Sequence, residues 1–168
     1  MKLLESTPER LVFGMGTKEK TFFGRLLSFF PLDLDSSPRL SRAENPALAD
    51  AEALLKDSLR EHNLDLAGWV RLHLAEGEAL RSTRSGWRLT LEGDSADRLL
   101  QVLNGLRVGA WSMLGCPEKI DDESLSERPG DVPLFAIMTL AGQFEMVLLH
   151  ALNNSTSPGP EPESSEQA

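Results

Sequence analysis

Residues 11–27 read LVFGMGTKEKTFFGRLL, and the fold turns on what the Gly-Met-Gly turn inside this stretch is for. As a phosphate-binding loop it would announce a parallel α/β nucleotide fold. As a simple reversal it only joins a strand to a helix. Leu11, Phe13 and Met15 alternate with the period of a strand. Phe22, Phe23, Leu26, Leu27 and Phe30 recur at helical spacing, and Pro31 stands where that helix should stop. A phosphate loop needs Gly-x4-Gly-Lys-Ser/Thr, because successive backbone N–H groups must wrap around the phosphates. Gly14 and Lys20-Thr21 are in register for it, but Glu19 holds the place of the second glycine. A carboxylate there faces the phosphate it should admit. The dinucleotide pattern Gly-x-Gly-x-x-Gly fails at the same residue, and no βαβ series follows. Gly14 and Gly16 are therefore read as turn residues.

Outward from this stretch the chain is mostly helical in pattern. Asn45-Pro46 is a helix start, a capping side chain followed by proline at the first helical position. Leu48, Ala51, Leu55, Leu59, Leu66, Val70 and Leu74 then recur at intervals of three and four, as one helix or as two that break near His62-Asn63. Gly77 is the stop. GWRLTLEG (86–93) turns Trp87, Leu89 and Leu91 inward and Arg88 and Thr90 outward, a second short strand that should pair with the first. The preceding RSTRSG is read as a turn or loop. Asp94 or Ser95 caps a third helix closed by Gly115 and Pro117. Asp131 caps the last, VPLFAIMTLAGQFEMVLLHALN, the most apolar element and the expected core helix. The expected fold is mainly α: a bundle of four to five helices with a small two-stranded antiparallel β ribbon. One domain spans 1–153, and 154–168 is a disordered acidic Pro/Ser/Glu tail.

Composition narrows the chemistry. The 168 residues carry a net charge of −9, which argues against nucleic acid as a partner, since phosphate backbones attract clustered Lys and Arg. The single cysteine, Cys116, excludes an internal disulfide and cysteine-pair zinc patterns. MKLLESTPER lacks a signal-peptide core and no run reaches bilayer length without interruption, so a soluble cytoplasmic protein without a membrane partner is expected. His62 and His73 share a helical face, but roughly 16 Å of helix separates them, too far to share an ion. Asp121, Asp122 and Glu123 lack the spacing of a calcium loop. No Gly-x-Ser-x-Gly elbow occurs. No catalytic residue, metal ligand or cofactor site is assigned.

Two features point to helix–helix contacts. Gly105 and Gly109 stand four apart in the third helix, where each glycine costs about 1 kcal/mol against alanine. They suggest a close helix approach, with Ala141-Gly142 as the flat spot opposite. Leu100, Leu103, Arg107, Ala110 and Leu114 form one stripe of that helix, and Met138, Ala141, Glu145, Leu148 and Leu152 form one of the last. Each stripe is apolar apart from one charge, and the two charges are opposite. The two helices are expected to pack antiparallel with Arg107 reaching Glu145, and with Asn104 and Trp111 nearby. The cluster Asn104, Arg107, Trp111 and Glu145 serves either as a structural ion pair or as an anion or ligand site.

GWRLTLEG, LLQVLNGLRVGAWSMLGCPE and LFAIMTLAGQFEMVLLHAL together resemble the bacterial domain-of-unknown-function family 2017, through Leu103, Asn104, Arg107 and Trp111. The resemblance covers roughly residues 46–152. It implies a cytoplasmic bacterial helical protein associated with proteolysis, since some relatives are encoded beside an adaptor of the Clp protease. It implies no catalytic residue. The function expected is that of a non-enzymatic interaction or regulatory protein with a protein partner. Self-association is also expected, through LLSFFPLDL (26–34). The alternative is a small-molecule binder or enzyme with a pocket between the helices near Arg107 and Trp111, around Trp69, Trp87 and Trp111.

Overall fold

In the computed structural model, which describes residues 1–32, 46–75, 77–118 and 128–156, the alternating stretch Arg10–Met15 forms the centre of a sheet. It is strand β2. Its outer neighbour is β1, Lys2–Thr7, joined to it by a tight turn at Pro8-Glu9. β3 (Leu80–Thr83) and β4 (Gly86–Glu92) form a second hairpin. The sheet order is β1-β2-β4-β3, and each neighbouring pair is antiparallel. Four α-helices accompany it among the described residues: α1 (Thr17–Leu27), α2 (Pro46–Trp69), α3 (Ser95–Met113) and α4 (Val132–Thr156). The expected all-α bundle with a two-stranded ribbon is thus corrected to a mixed α/β fold with a four-stranded antiparallel sheet.

The two expected strands do pair, with Leu11 opposite Leu91, Phe13 opposite Leu89 and Met15 opposite Trp87. Their inward side chains, Leu11, Phe13, Met15, Leu89 and Leu91, are buried together with residues of all four helices. The expectation missed the two edge strands. β1 has a register irregularity between Leu3 and Glu5, which breaks its alternation. β3 is LRST, four residues of which none is fully buried. Short, polar, half-solvated edges are how sheets avoid pairing with other chains, and they leave little hydrophobic pattern to read. The stretch RSTRSG, read as a turn, therefore supplies most of β3 and the turn into β4.

α2 is continuous through His62 and Asn63 and passes into a π-helical segment, Val70–Ala75. Its C-terminal end is seated, with Leu66, Trp69, Val70 and Leu74 buried. Its contacts with α3 include Asp65 with Arg98 at 3.8 Å and His62 Nε2 with Gln101 Oε1 at 2.8 Å. Farther along α3, the shelf made by Gly105 and Gly109 is covered by Phe30 and Leu32. A Cβ at Gly105 would stand 2.8 Å from the Phe30 ring, and one at Gly109 would stand 3.1 Å from Leu32 Cβ. The glycines thus admit the segment after α1. The α4 glycine Gly142 lies instead beneath the stem of Arg107, whose Cδ would be 3.6 Å from an added Cβ.

This reverses the usual sign for a helix glycine. Gly105→Ala gains about 1 kcal/mol in helix propensity but drives a methyl into a ring that is only 9% exposed. The expected net is a loss of about 0–2 kcal/mol, the usual cost of overpacking less the propensity gain. Urea unfolding reads it directly, and a stabilised variant would show that Phe30 yields freely.

α4 and α3 make the most extensive contact between helices. α4 buries one stripe, Ile137, Ala141, Phe144, Leu148 and Ala151. Phe144 meets Phe23 of α1 edge to face at a centroid distance of 5.1 Å. By length and composition alone the segment Pro129–Ser155 could cross a membrane, yet in the fold it lies along the core with Val132, Met146 and Leu149 exposed. The expected core helix thus lines the core along one stripe and leaves apolar side chains of its other face exposed. The tail expectation divides: residues 154–156 finish α4, and the remainder of the tail falls outside the described residues.

Candidate functional site

Arg107 on α3 and Glu145 on α4 are brought together. Arg107 Nε donates to Glu145 Oε2 at 2.9 Å, and Arg107 Nη2 donates to Asn104 Oδ1 at 2.8 Å. Asn104 lies one turn before Arg107, so the helix itself sets that second contact. Glu145 is the sole Asp, Glu, Lys or Arg in α4. Its pairing leaves no Asp, Glu, Lys or Arg of the helix without an opposite charge. The pair sits at the rim of the helix contact, with side-chain exposures of 45% for Arg107 and 17% for Glu145. The buried stripe of α4 runs through Phe144, so Glu145 falls one position, about 100°, round the helix from Phe144.

Trp111 does not join this network. Its Nε1 donates to the Pro117 carbonyl at 3.1 Å, while the Trp111 carbonyl accepts from the Cys116 N–H at 3.0 Å. Cys116 has a φ of 55°. The ring therefore ties down the C-terminal end of α3. Cys116, partly buried, belongs to the same turn. The three tryptophans have separate neighbours. Trp69 is buried and stacks on His73 at 5.7 Å. Trp87 lies under the Lys20 ammonium at 4.7 Å, and Trp111 is 40% exposed.

Because water reaches Arg107, the cost of breaking the pair falls well below the 3–5 kcal/mol of a fully buried one. Arg107→Ala is expected to lower the unfolding free energy by about 1 kcal/mol, near the upper end for exposed pairs. Chemical denaturation at two salt concentrations checks this, the loss shrinking as salt screens the pair. A salt-independent loss of several kcal/mol would place the pair in a dry interior.

At the start of α1, Glu19 turns back and occupies the helix N-terminus. Its Oε2 accepts from the Gly16 N–H at 2.8 Å, and its Oε1 pairs with the amino group of Met1. These bonds, the one from the amino terminus first, hold the Glu19 carboxyl below the usual carboxylate range. A depressed folded-state value means the contribution is present above the ordinary carboxylate pKa and is lost as pH falls below it. The carboxylate thus fills the position a phosphate would need. The two histidines are likewise engaged separately: His62 with Gln101, and His73 Nδ1 with the Trp69 carbonyl at 3.1 Å. Among the described residues no group of three or more His, Cys, Asp or Glu could hold a metal ion. Asp121, Asp122 and Glu123 lie outside the described residues.

Sequence reasoning missed two concave regions, since both combine residues far apart in the chain. One, of about 260 Å³, lies between α1 and the end of α2 and is lined mainly by apolar groups such as Phe23, Leu27, Phe30, Val70 and Leu74. The other, of about 490 Å³, involves β2, β3 and β4 and the end of α2, with Arg10, His73, Arg81, Arg88 and Thr90 in its wall. Neither is lined by Arg107 or Trp111.

A further feature is the bare half of α2. From Asp50 to Asp65 nearly every described side chain is exposed. Leu55 and Leu59, on the same stripe as buried Leu66, are 49% and 40% exposed, and Leu54 and Leu64 are 72% and 60% exposed. Of the segment LLSFFPLDL, expected to mediate self-association, Phe29 is 42% exposed, and Asp33 and Leu34 lie outside the described residues. Leu26, Leu27 and Phe30 are buried, and Leu32 lies on Gly109.

Among the described residues these observations define a mixed α/β fold whose helix α2 carries a row of exposed leucines. No protein-family model matches the chain, and neither a curated protein nor a solved structure matches it.

Proposed function

We propose that the chain is a non-enzymatic protein-interaction protein whose docking element is the N-terminal half of α2. The observation that carries this reading is the leucine row itself. An amphipathic helix draws most of its stability from packing its apolar face, yet Leu55 and Leu59 are left in water while the same stripe is buried at Leu66. Clustered exposed leucines on a soluble domain mark a binding surface. A helix with anchors four residues apart fits an apolar groove on a partner protein, the helix-in-groove mode. The charged residues between and just after them, Lys56, Asp57, Arg60 and Glu61, suit a polar rim around such an anchor. The resemblance adds a regulatory role in proteolysis as the setting for this contact.

The test compares the full chain with a Leu55→Glu/Leu59→Glu variant as baits in cross-linked affinity isolation from native cells. Because both side chains are already exposed, the variant keeps its circular dichroism and Tm. The expected result is one protein enriched by the native chain and lost with the variant. Identical capture by both would overturn the reading. Light scattering over a range of concentrations separates a foreign partner from a second copy of the chain.

A further inference from the structure

The outward face of the sheet carries a charge arrangement at odds with an acidic protein of net charge −9. Arg81 of β3 and Arg88 of β4 are direct cross-strand partners. Arg88 alternates with buried Leu89 and so points away from the core. Like charges directly opposite on neighbouring strands repel. Nearby positive charge is differently placed: Arg10 has Glu92 at 3.7 Å and Glu5 at 3.9 Å. Arg81 is paired with Glu78, but both side chains are exposed, at 64% and 87%. Arg88 makes no side-chain hydrogen bond or ion pair among the described residues.

Both arginines line the groove of about 490 Å³, together with Thr90, with Ser95, the first residue of α3, and with two carboxylates, Glu78 beside Arg81 and Glu92 beside Arg10. That volume is in the range of small-molecule sites. The α3 terminus adds positive potential. Asp94, at its N-cap, makes no side-chain capping bond, and its carboxylate accepts from Arg98 Nε at 2.8 Å.

We propose that this groove binds a small oxyanion, a phosphate or phosphate monoester, clamped between Arg81 and Arg88 with the Thr90 hydroxyl as a further donor. The clamp follows from register. Opposed residues on antiparallel strands have Cβ atoms about 5 Å apart, so once Arg81 turns from the Glu78 carbonyl and carboxylate that now hold it, both guanidinium forks reach one tetrahedral anion. Guanidinium presents paired N–H donors that match phosphate oxygens. An anion between the two also turns their repulsion into attraction to a shared partner. Glu78 is no barrier, because an exposed ion pair contributes little and exchanges readily for a doubly charged ligand. This site is separate from the leucine row on α2 and stands whether or not that row binds a protein.

The experiment titrates the ¹⁵N-labelled full chain with inorganic phosphate and, separately, with phenyl phosphate at constant ionic strength in chloride. Saturable shifts confined to the amides of Arg81, Arg88, Thr90 and Ser95 are expected. Arg88→Gln should weaken binding by about tenfold or more, the effect of losing one charge-assisted contact. Arg25→Gln on α1 should bind as the native chain does. Tighter binding of phenyl phosphate would place an organic body in the groove, and equal binding would make the phosphate group the whole ligand. Both outcomes support the site. Without ligand, Arg88→Gln should keep or raise Tm, since it removes a like-charge contact. A lowered Tm would assign Arg88 to the fold and overturn the proposal. So would non-saturating shifts, or an affinity unchanged in Arg88→Gln.

Discussion

Phe13→Ala lowers the unfolding free energy by about 3–5 kcal/mol, the usual range for emptying a buried aromatic position. Phe13 is fully buried on the central strand β2, with Leu3 opposite it on β1 and Leu89 opposite it on β4. Its ring belongs to the core formed by the sheet and the helices. On the β4 side the neighbour is a strand paired on both edges, which limits how far a backbone shift can close the cavity. Urea unfolding followed by circular dichroism checks the value. A loss below about 1 kcal/mol, typical of a surface substitution, would show that the inner face of the sheet is not the centre of the core.

The second large effect is Gly86→Ala, expected to cost about 3 kcal/mol from backbone strain and overpacking together. Gly86 begins β4 with a φ of +138°, and a Cβ there would stand 2.6 Å from the Met15 carbonyl oxygen. The obstacle is backbone of a paired strand. Relief therefore requires β2 and β4 to move apart where Met15 pairs with Trp87. Gly93→Ala is the control. Gly93 has a φ of +55° and open space around an added Cβ, so only the left-handed penalty of about 1–2 kcal/mol applies. Equal losses at the two positions would mean that the contact with Met15 is not close.

The separation between what was legible and what was not follows the range of the interactions. Strands β2 and β4 could be read because each turns alternate residues, Leu11, Phe13 and Met15 or Leu89 and Leu91, to the core, and this writes a period of two into the sequence even though Val12 is buried as well. β1 and β3 carry no such record, since an edge strand is held by hydrogen bonds to its neighbour and its side chains are free to be polar. Glu19 could be identified as an obstacle to phosphate from its position alone. Its bond to Gly16 is local, three residues away, so sequence spacing contains the geometry. The pairing of Arg107 with Glu145 was also legible, because one charge in each of two apolar stripes demands the other.

Tertiary structure alone decided the rest. A stripe specifies a face only to within a position or so, and that margin separates a buried ion pair from the rim pair observed. Gly105 and Gly109 signalled a close approach, but Phe30 and Leu32, which make it, lie far away in the chain. The apolar rows of α2 and α4 look alike in sequence whether or not a neighbour covers them. Local pattern and propensity thus determined the helices, the two central strands and the demand for a charge partner. Which surfaces were left in water, the leucines of α2 and the opposed arginines of the sheet, depended on long-range packing, because burial belongs to the assembled fold and not to any one segment.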